Sequence, residues 1–310
     1  FTISATSDND WVGSYDATVT VGRDESKDFT ITMNVPNAAA DIVDHWSMAV
    51  TAGNDATQTD SHAGTTTVLF KSGVSVSIGT DTGSALPGAD VTYYFVITND
   101  GNGEDTFTYS ATSDNDWGLA VTGSPVTLAM GGTHTVEVVH TVSESASEGA
   151  GDTVNFNVGE FPDGAGGTAT TTAEQTYGAS ISFGTSDQGS TLNPGDSFTI
   201  SYTVTNGGNG NDDFSVFFDA SWMTASSGTT LSSLAAGDIG TATATITVPT
   251  DAPSGSSSTI AAYVTGGGGS SDDAGAAYTM TVADNTRSAS ITGESGYTIN
   301  KGDTSSGTVT

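Results

Sequence analysis

The residues of this chain best suited to chemistry are oxygen donors crowded into short loops. Asp8-Asn-Asp10 and Asp114-Asn-Asp116 each set two carboxylates around an amide. Two longer loops add Asn99, Asp100, Asn102, Glu104 and Asp105 in one place, and Asn209, Asn211, Asp212 and Asp213 in another. Calcium takes about six to eight oxygen ligands from a flexible loop. The candidate metal ligands are therefore Asp8, Asp10, Asp100, Asn102, Glu104, Asp105, Asp114, Asp116, Asp212 and Asp213, with calcium as the implied ion. Neither run follows the EF-hand pattern, which needs a glycine at its sharp turn and a closing bidentate glutamate. The competing reading is local, since Asn, Asp and Gly are also the residues that supply left-handed turns.

Other reactive side chains point less clearly. Trp11, Trp117 and Trp222 recur at matching places and read either as a sugar-stacking platform or as core residues at the end of a strand. His140 shares a face with Val136, Val138 and Val142, and Met33 holds the matching slot upstream, so it reads as a half-buried core histidine. The Gly266 to Ser271 run has no following Lys and no helix after it, so it is a loop and not a phosphate cradle. No Gly-x-Ser-x-Gly elbow and no His-Glu-x-x-His occurs. A glycosidase carboxylate pair would need a cleft, which simple sandwiches lack. Lys27 and Lys71 are unmatched elsewhere in the chain, which argues against an isopeptide staple in each module.

These residues sit in a long repeat. Phe1 to Trp11 and Phe107 to Trp117 are nearly identical, and Phe214 to Trp222 is a looser third copy. A period of about 106 residues is the length of a whole β-sandwich, not of a short solenoid unit. Alternating runs such as Val91 to Thr98 and Ser197 to Thr205, separated by Gly-, Pro- and Asn-rich turns, predict strands throughout. The fold class is all-β, a tandem of Ig-like, Greek-key sandwiches. The boundaries are 1–72 for a partial module with strands C to G, and 73–178 and 179–286 for complete modules. Residues 287–310 hold the A strand and part of the B strand of a further module. Two readings of the ends stay open. Plain continuation of the array is the simpler; in the other, the A and B strands of one copy complete the open sandwich of the next.

Composition limits the partners. There are 36 acidic residues against 5 basic ones, a formal net charge of -31. All charged residues make up only 13%, against an ordinary share of about a quarter, so the anomaly is the scarcity of Lys and Arg. Such a surface repels nucleic acid and anionic lipid, and it repels itself unless salt or divalent cations screen it. Without cysteine there is neither a disulfide framework nor thiol chemistry, and no apolar run is long enough for a membrane helix. A chain that starts and stops inside repeats reads as an excerpt of a longer exported polypeptide.

Leu86-Pro-Gly, then Val91-Thr-Tyr, then Ile97-Thr-Asn-Asp-Gly-Asn-Gly-Glu-Asp105, with Val248-Pro-Thr-Asp-Ala-Pro-Ser-Gly255 in the later copy, resembles the Ig-like modules of large prokaryotic surface proteins. The motifs are similar to the cell-adhesion-related domain found in bacteria and to the Ig-like module associated with alpha-galactosidases. Thr141-Val-Ser-Glu-Ser-Ala-Ser-Glu148 departs from the Pro-x-x-Ala-Pro form. The resemblance implies stalks, adhesins, envelope layers or non-catalytic spacers beside secreted enzymes. The expected place is extracellular, at a cell surface, and the expected partners are neighbouring modules or copies, or glycans.

Overall fold

Strands in this chain alternate buried apolar residues with exposed threonine, serine and asparagine, so each can bury one face only by packing against a second sheet. The computed structural model describes residues 1–159, 164–186, 191–273 and 277–283. The predicted start of a further module, 287–310, lies outside the described residues. The chain divides into two compact units, Phe1–Gln175 and Thr176–Thr310. The linker Thr176–Gly178, which the repeat assigns to the end of the second module, goes with the third, because its backbone is bonded there.

In the first unit the partial module contributes β1 (Thr2–Ser7), β2 (Val12–Tyr15), β3 (Ile31–Met33), β4 (Val43–Ala52) and β5 (Asp55–Thr67). The complete module follows with β6 (Val74–Ile78), β7 (Thr82–Ala85), β8 (Asp90–Asn99), β9 (Asp105–Phe107) and β10 (Tyr109–Ser113). It continues with β11 (Gly118–Val121), β12 (Val126–Leu128), β13 (Thr133–Thr141), β14 (Gly151–Val158) and β15 (Ala165–Ala173). One sheet runs β11-β13-β8-β6 and the facing sheet β10-β14-β15-β7. β7 pairs in parallel with β15, so the chain crosses from one sheet to the other between β6 and β8. This short crossover strand is not among those expected from the sequence. Tyr93, Phe95 and Ile97 of β8 point inward and meet Val136 and Val138 of β13 and Phe156 of β14. Phe95 and Phe156 stack with ring centroids 4.5 Å apart.

The second unit repeats the plan with β16 (Ala179–Ser186), β17 (Thr191–Leu192), β18 (Ser197–Asn206), β19 (Asp212–Asp219) and β20 (Met223–Ser227). Then come β21 (Thr230–Leu234), β22 (Ile239–Thr247), β23 (Ser257–Thr265), β24 (Ser271–Asp273) and β25 (Tyr278–Val282). Its sheets run β16-β18-β22-β20 and β17-β25-β23-β19-β21, with β24 added beside β23. Phe198, Ile200 and Tyr202 of β18 lie across from Ile246, Ala244 and Ala242 of β22, and all six are buried. The partial module has only β1-β4-β5 and the pair β2-β3 among the described residues. The chain is thus an all-β assembly of Ig-like sandwiches.

Truncating a large core ring leaves a cavity costing about 3–5 kcal/mol. Phe95→Ala should therefore lower the unfolding free energy of the second sandwich by about that amount in denaturant titrations. Tyr94→Ala, on the exposed face of the same strand, should stay within about 0.5 kcal/mol of the parent.

Candidate functional site

The two loops richest in oxygen donors bind the linker that leads into their own module. Each starts from a buried asparagine at the end of a strand. Asn99 donates its amide to the carbonyls of Gly103 (2.9 Å) and Leu128 (2.8 Å) and accepts from the Gly101 amide (2.8 Å). Asn206 does the same with Gly210 (2.8 Å), Leu234 (2.7 Å) and Gly208 (2.8 Å). These bonds fix the loop so that a second asparagine, three residues on, faces the linker. Asn102 accepts from the Lys71 amide at 2.7 Å and donates to the Leu69 carbonyl at 2.9 Å, and its own amide reaches the Lys71 carbonyl at 3.1 Å. Asn209 accepts from the Thr176 amide at 2.7 Å, and its amide donates to the Thr176 carbonyl at 3.3 Å. The amides of Asp100 and Gly207 complete the clasp on the carbonyls of Gly73 and Gly178.

Backbone is read by side-chain amide here, so the linker side chains are free to differ. The glycines are not. A Cβ at Gly208 would lie 2.4 Å from the Thr176 carbonyl oxygen, and one at Gly101 would lie 2.7 Å from that of Lys71. In the first unit the loop also touches the preceding module, through the Ala40 amide on the Asn102 carbonyl (2.7 Å). In the second unit Tyr177 lies over Gly267 and Gly268, where a Cβ would strike its ring. The Gly267 amide donates to the Asp212 carboxylate at 2.9 Å, so the anion in this glycine loop is the chain's own.

The predicted metal ligands fall in separate places. Asp105 accepts from the Ser72 hydroxyl and the Thr106 amide, Asp212 from Gly267 and Asp213, and Asp213 from the Ser233 amide. Asp100 and Glu104 lie on the clasp loop, both exposed. At the far end of β9 and β10, Asp114 accepts from Asn155, while Asp8 pairs with His45 at 3.3 Å on the surface. Asp10 and Asp116 occupy the left-handed turn, with φ of 58° and 56°. No group of three or more His, Cys, Asp or Glu gathers among the described residues.

One buried polar cluster, of which the sequence analysis singled out only His140, lies apart from these loops. That histidine is fully buried, not half-buried, and bridges Thr171 (2.7 Å) and Asp152 (2.9 Å). Asp152 also accepts from the Ser113 hydroxyl and from the amides of Asn115 and Thr153. Ser113 in turn accepts from the Trp117 amide, which ties the turn to the cluster. In the partial module Ser7, Asn9, Trp11 and Asp44 repeat this arrangement with Met33 in the histidine's place, and Asp44 Oδ2 is left buried without a partner. In the third module Ser258 stands where the aspartate was, bonded to Ser221. Trp11 and Trp117 are buried and Trp222 is half-buried against the third core, so these three indoles pack inward. Phe217 and Tyr263 are exposed neighbours on β19 and β23, but each ring covers one face of the other (5.2 Å).

Comparison with known proteins found one family model and several solved structures. Residues 192–265 match the family described as NPCBM-associated, NEW3 domain of alpha-galactosidase. No curated protein matches the chain. Among solved structures, a protocadherin GammaB4 extracellular domain is similar at 11% identity and a TM-score of 0.45, over 91% of this chain and 43% of that one. Surface layer protein SbsC, domains 4–9, is similar at 12% identity and a TM-score of 0.27, over 94% and 40%. The D0-D1 domain of intimin matches at 13% identity and a TM-score of 0.22, over 67% and 97%. The chain therefore spans less than half the length of the first two. No helix among the described residues is long and apolar enough to cross a membrane.

Burial opposes the charge of Asp152, yet the hydrogen bonds from Ser113, Asn115, His140 and Thr153 outweigh it and hold its carboxyl below the ordinary 3.8. A value lowered on folding stabilises the fold above the unfolded value, and that contribution fades as pH falls through the folded one. Asp152→Asn should lower stability at neutral pH by about 1–3 kcal/mol. It should also flatten the loss of stability below about pH 3.8, read by thermal melts across pH.

Proposed function

We propose that this chain is a structural segment of an exported protein, a run of Ig-like modules serving as stalk, filament or envelope-layer material at a prokaryotic cell surface. The observation that supports this best is the linker clasp, in which an asparagine side chain accepts from a linker amide in both complete modules. A loop that spends its buried amide and its glycines on gripping the linker removes backbone freedom where the chain enters the module. Restricted junctions are what a spacer needs, and no chemistry at the loop is required. The reading is that of a non-catalytic module.

Asn102→Ala with Asn209→Ala should remove the hydrogen-exchange protection of the Lys71 and Thr176 amides and broaden the distance distribution in solution scattering. The sandwich cores should keep their own protection. Unchanged protection at both amides would remove the clasp as a determinant of junction geometry.

Divalent cations enter this proposal as screening ions for a charge of -31, with calcium the natural candidate outside a cell. Thermal melts with calcium, with chelator and with sodium at matched ionic strength separate the two roles. Screening predicts that calcium and matched sodium raise the midpoint alike, whereas a caged ion would give an excess with calcium. The match of residues 192–265 to an alpha-galactosidase-associated domain favours a second reading, accessory modules beside a secreted enzyme or a glycan-binding adhesin of the cell-adhesion-related kind. Binding to immobilised glycans by the full chain tests it.

A further inference from the structure

One cross-strand row on the outer face of the third sandwich differs from its counterparts in the other two. Phe217 of β19 lies directly across from Tyr263 of β23, and Tyr263 from Asp273 of β24. The same row reads Ser110, Asn157 and Gly166 in the second sandwich, and Ser4, Ala49 and Ser61 in the first. Cross-strand aromatic pairs do steady a sheet, yet two copies of this plan do without one. The fold therefore does not call for two rings here, left 44% and 45% exposed.

The rings stack with centroids 5.2 Å apart and planes 16° from parallel. Phe217 thus covers one face of Tyr263, and the other face is turned to β24. An open groove of about 550 Å³ lies on that side, with Tyr263, Thr265, Ser271 and Asp273 in its lining. The neighbouring rows place hydrogen-bonding groups on both sides of the rings. Ser215, Thr265 and Ser271 form the row on one side, and Asp219 stands across from the small Ala261 on the other. Thr265, Ser271, Asp273 and Asp219 are all exposed. Side chains two residues apart on a strand stand about 7 Å from one another, so a ligand seated on Tyr263 meets both rows.

We propose that this row is a binding site for a neutral hexopyranose glycan. The apolar face of a pyranose carries C–H groups whose partial positive charge meets the negative face of the tyrosine ring. Its hydroxyls radiate around that face, where they donate to the carboxylates of Asp273 and Asp219 and exchange hydrogen bonds with Thr265 and Ser271. An ammonium ligand would use the ring and one carboxylate and leave the hydroxyl row idle. An acidic glycan is excluded by charge, since residues 176–283 contain no Lys, Arg or His to meet its carboxylate or sulfate. The proposal rests on the glycan-binding reading above and gives it a site and a ligand class; the spacer reading does not depend on it.

NMR of the aromatic side chains of the full chain, titrated with neutral gluco-, galacto- and manno-oligosaccharides, tests the site. At least one of them should shift the Phe217 and Tyr263 ring resonances. Phe217→Ser with Tyr263→Asn installs the pair that the second sandwich carries at this place, so the sheet keeps a compatible sequence. The double variant should lose binding while its core amides keep their protection. Asp273→Gly, again the residue of the second sandwich, should weaken binding about tenfold with the rings still responding. Binding that survives in the double variant would overturn the site. So would ring shifts from choline or polygalacturonate as large as those from neutral sugars, or no response to any neutral oligosaccharide. If binding fails while the Lys71 and Thr176 amides stay protected, the glycan site falls and the spacer reading stands.

Discussion

The linker-binding loops of this protein depend on one buried asparagine in each complete module. A loop of glycine, aspartate and asparagine has little apolar surface with which to hold itself, and a buried backbone group left without a partner costs about 1–3 kcal/mol. Asn99 and Asn206 answer that cost by bonding two carbonyls and one amide from a single side chain. One of the carbonyls, Leu128 or Leu234, belongs to the strand that flanks the loop, so the loop is fastened to the sandwich and not merely to itself. Only then can Asn102 or Asn209 stand at a fixed height above the linker. A shorter or branched side chain at the buried position could not reach both carbonyls.

The same shortage of donors explains how the acidic residues behave. With 5 Lys and Arg in the whole chain, a carboxylate must find N–H and O–H groups instead of cations. Asp105, Asp114, Asp152, Asp212 and Asp213 all do so. A carboxylate so engaged shapes a turn or seals a loop. Its charge remains, and the summed repulsion is left to solvent ions. Low basic content and hydrogen-bonded carboxylates are thus two sides of one design, in which electrostatic attraction between side chains contributes little to the fold. Even the buried contact of Asp152 with His140 is a hydrogen bond among several, beside those from Ser113, Asn115 and Thr153.

Most of the strand plan is legible in the sequence, because alternation of apolar and hydroxyl residues over β8, β13, β18 and β22 allows only one face to be buried. The 106-residue period then supplies the module. What stays hidden are features without a period. β7 and β17 are too short, at four and two residues, to show alternation, yet they carry the chain between sheets. The loops are plainly oxygen-rich, but the difference between holding an ion and holding a linker lies in which donors arrive, which a local sequence does not state. Alternation along β13 puts His140 in the right slot, but its partners Asp152 and Thr171 come from strands distant in sequence. The repetition of Ser7 at Ser113 and of Asp44 at Asp152 is the available clue, and it becomes meaningful only because the turn between β10 and β11 closes over it.

The modules share their loops closely and their cores hardly at all, and this contrast has a physical consequence. Tandem copies of one fold risk exchanging strands with the wrong neighbour during folding. The second sandwich divides its core volume evenly, with Tyr93 and Phe95 facing Val136, Val138 and Phe156. The third sets Phe198, Ile200 and Tyr202 against Ala242 and Ala244. The inward residues of the two B strands are the same four types in a different order, Val91, Tyr93, Phe95 and Ile97 against Phe198, Ile200, Tyr202 and Val204, so an exchanged strand would keep its volume but misplace its rings against the facing strands. The order of large and small side chains along each B strand, not their total volume, is what suits a strand to its own module.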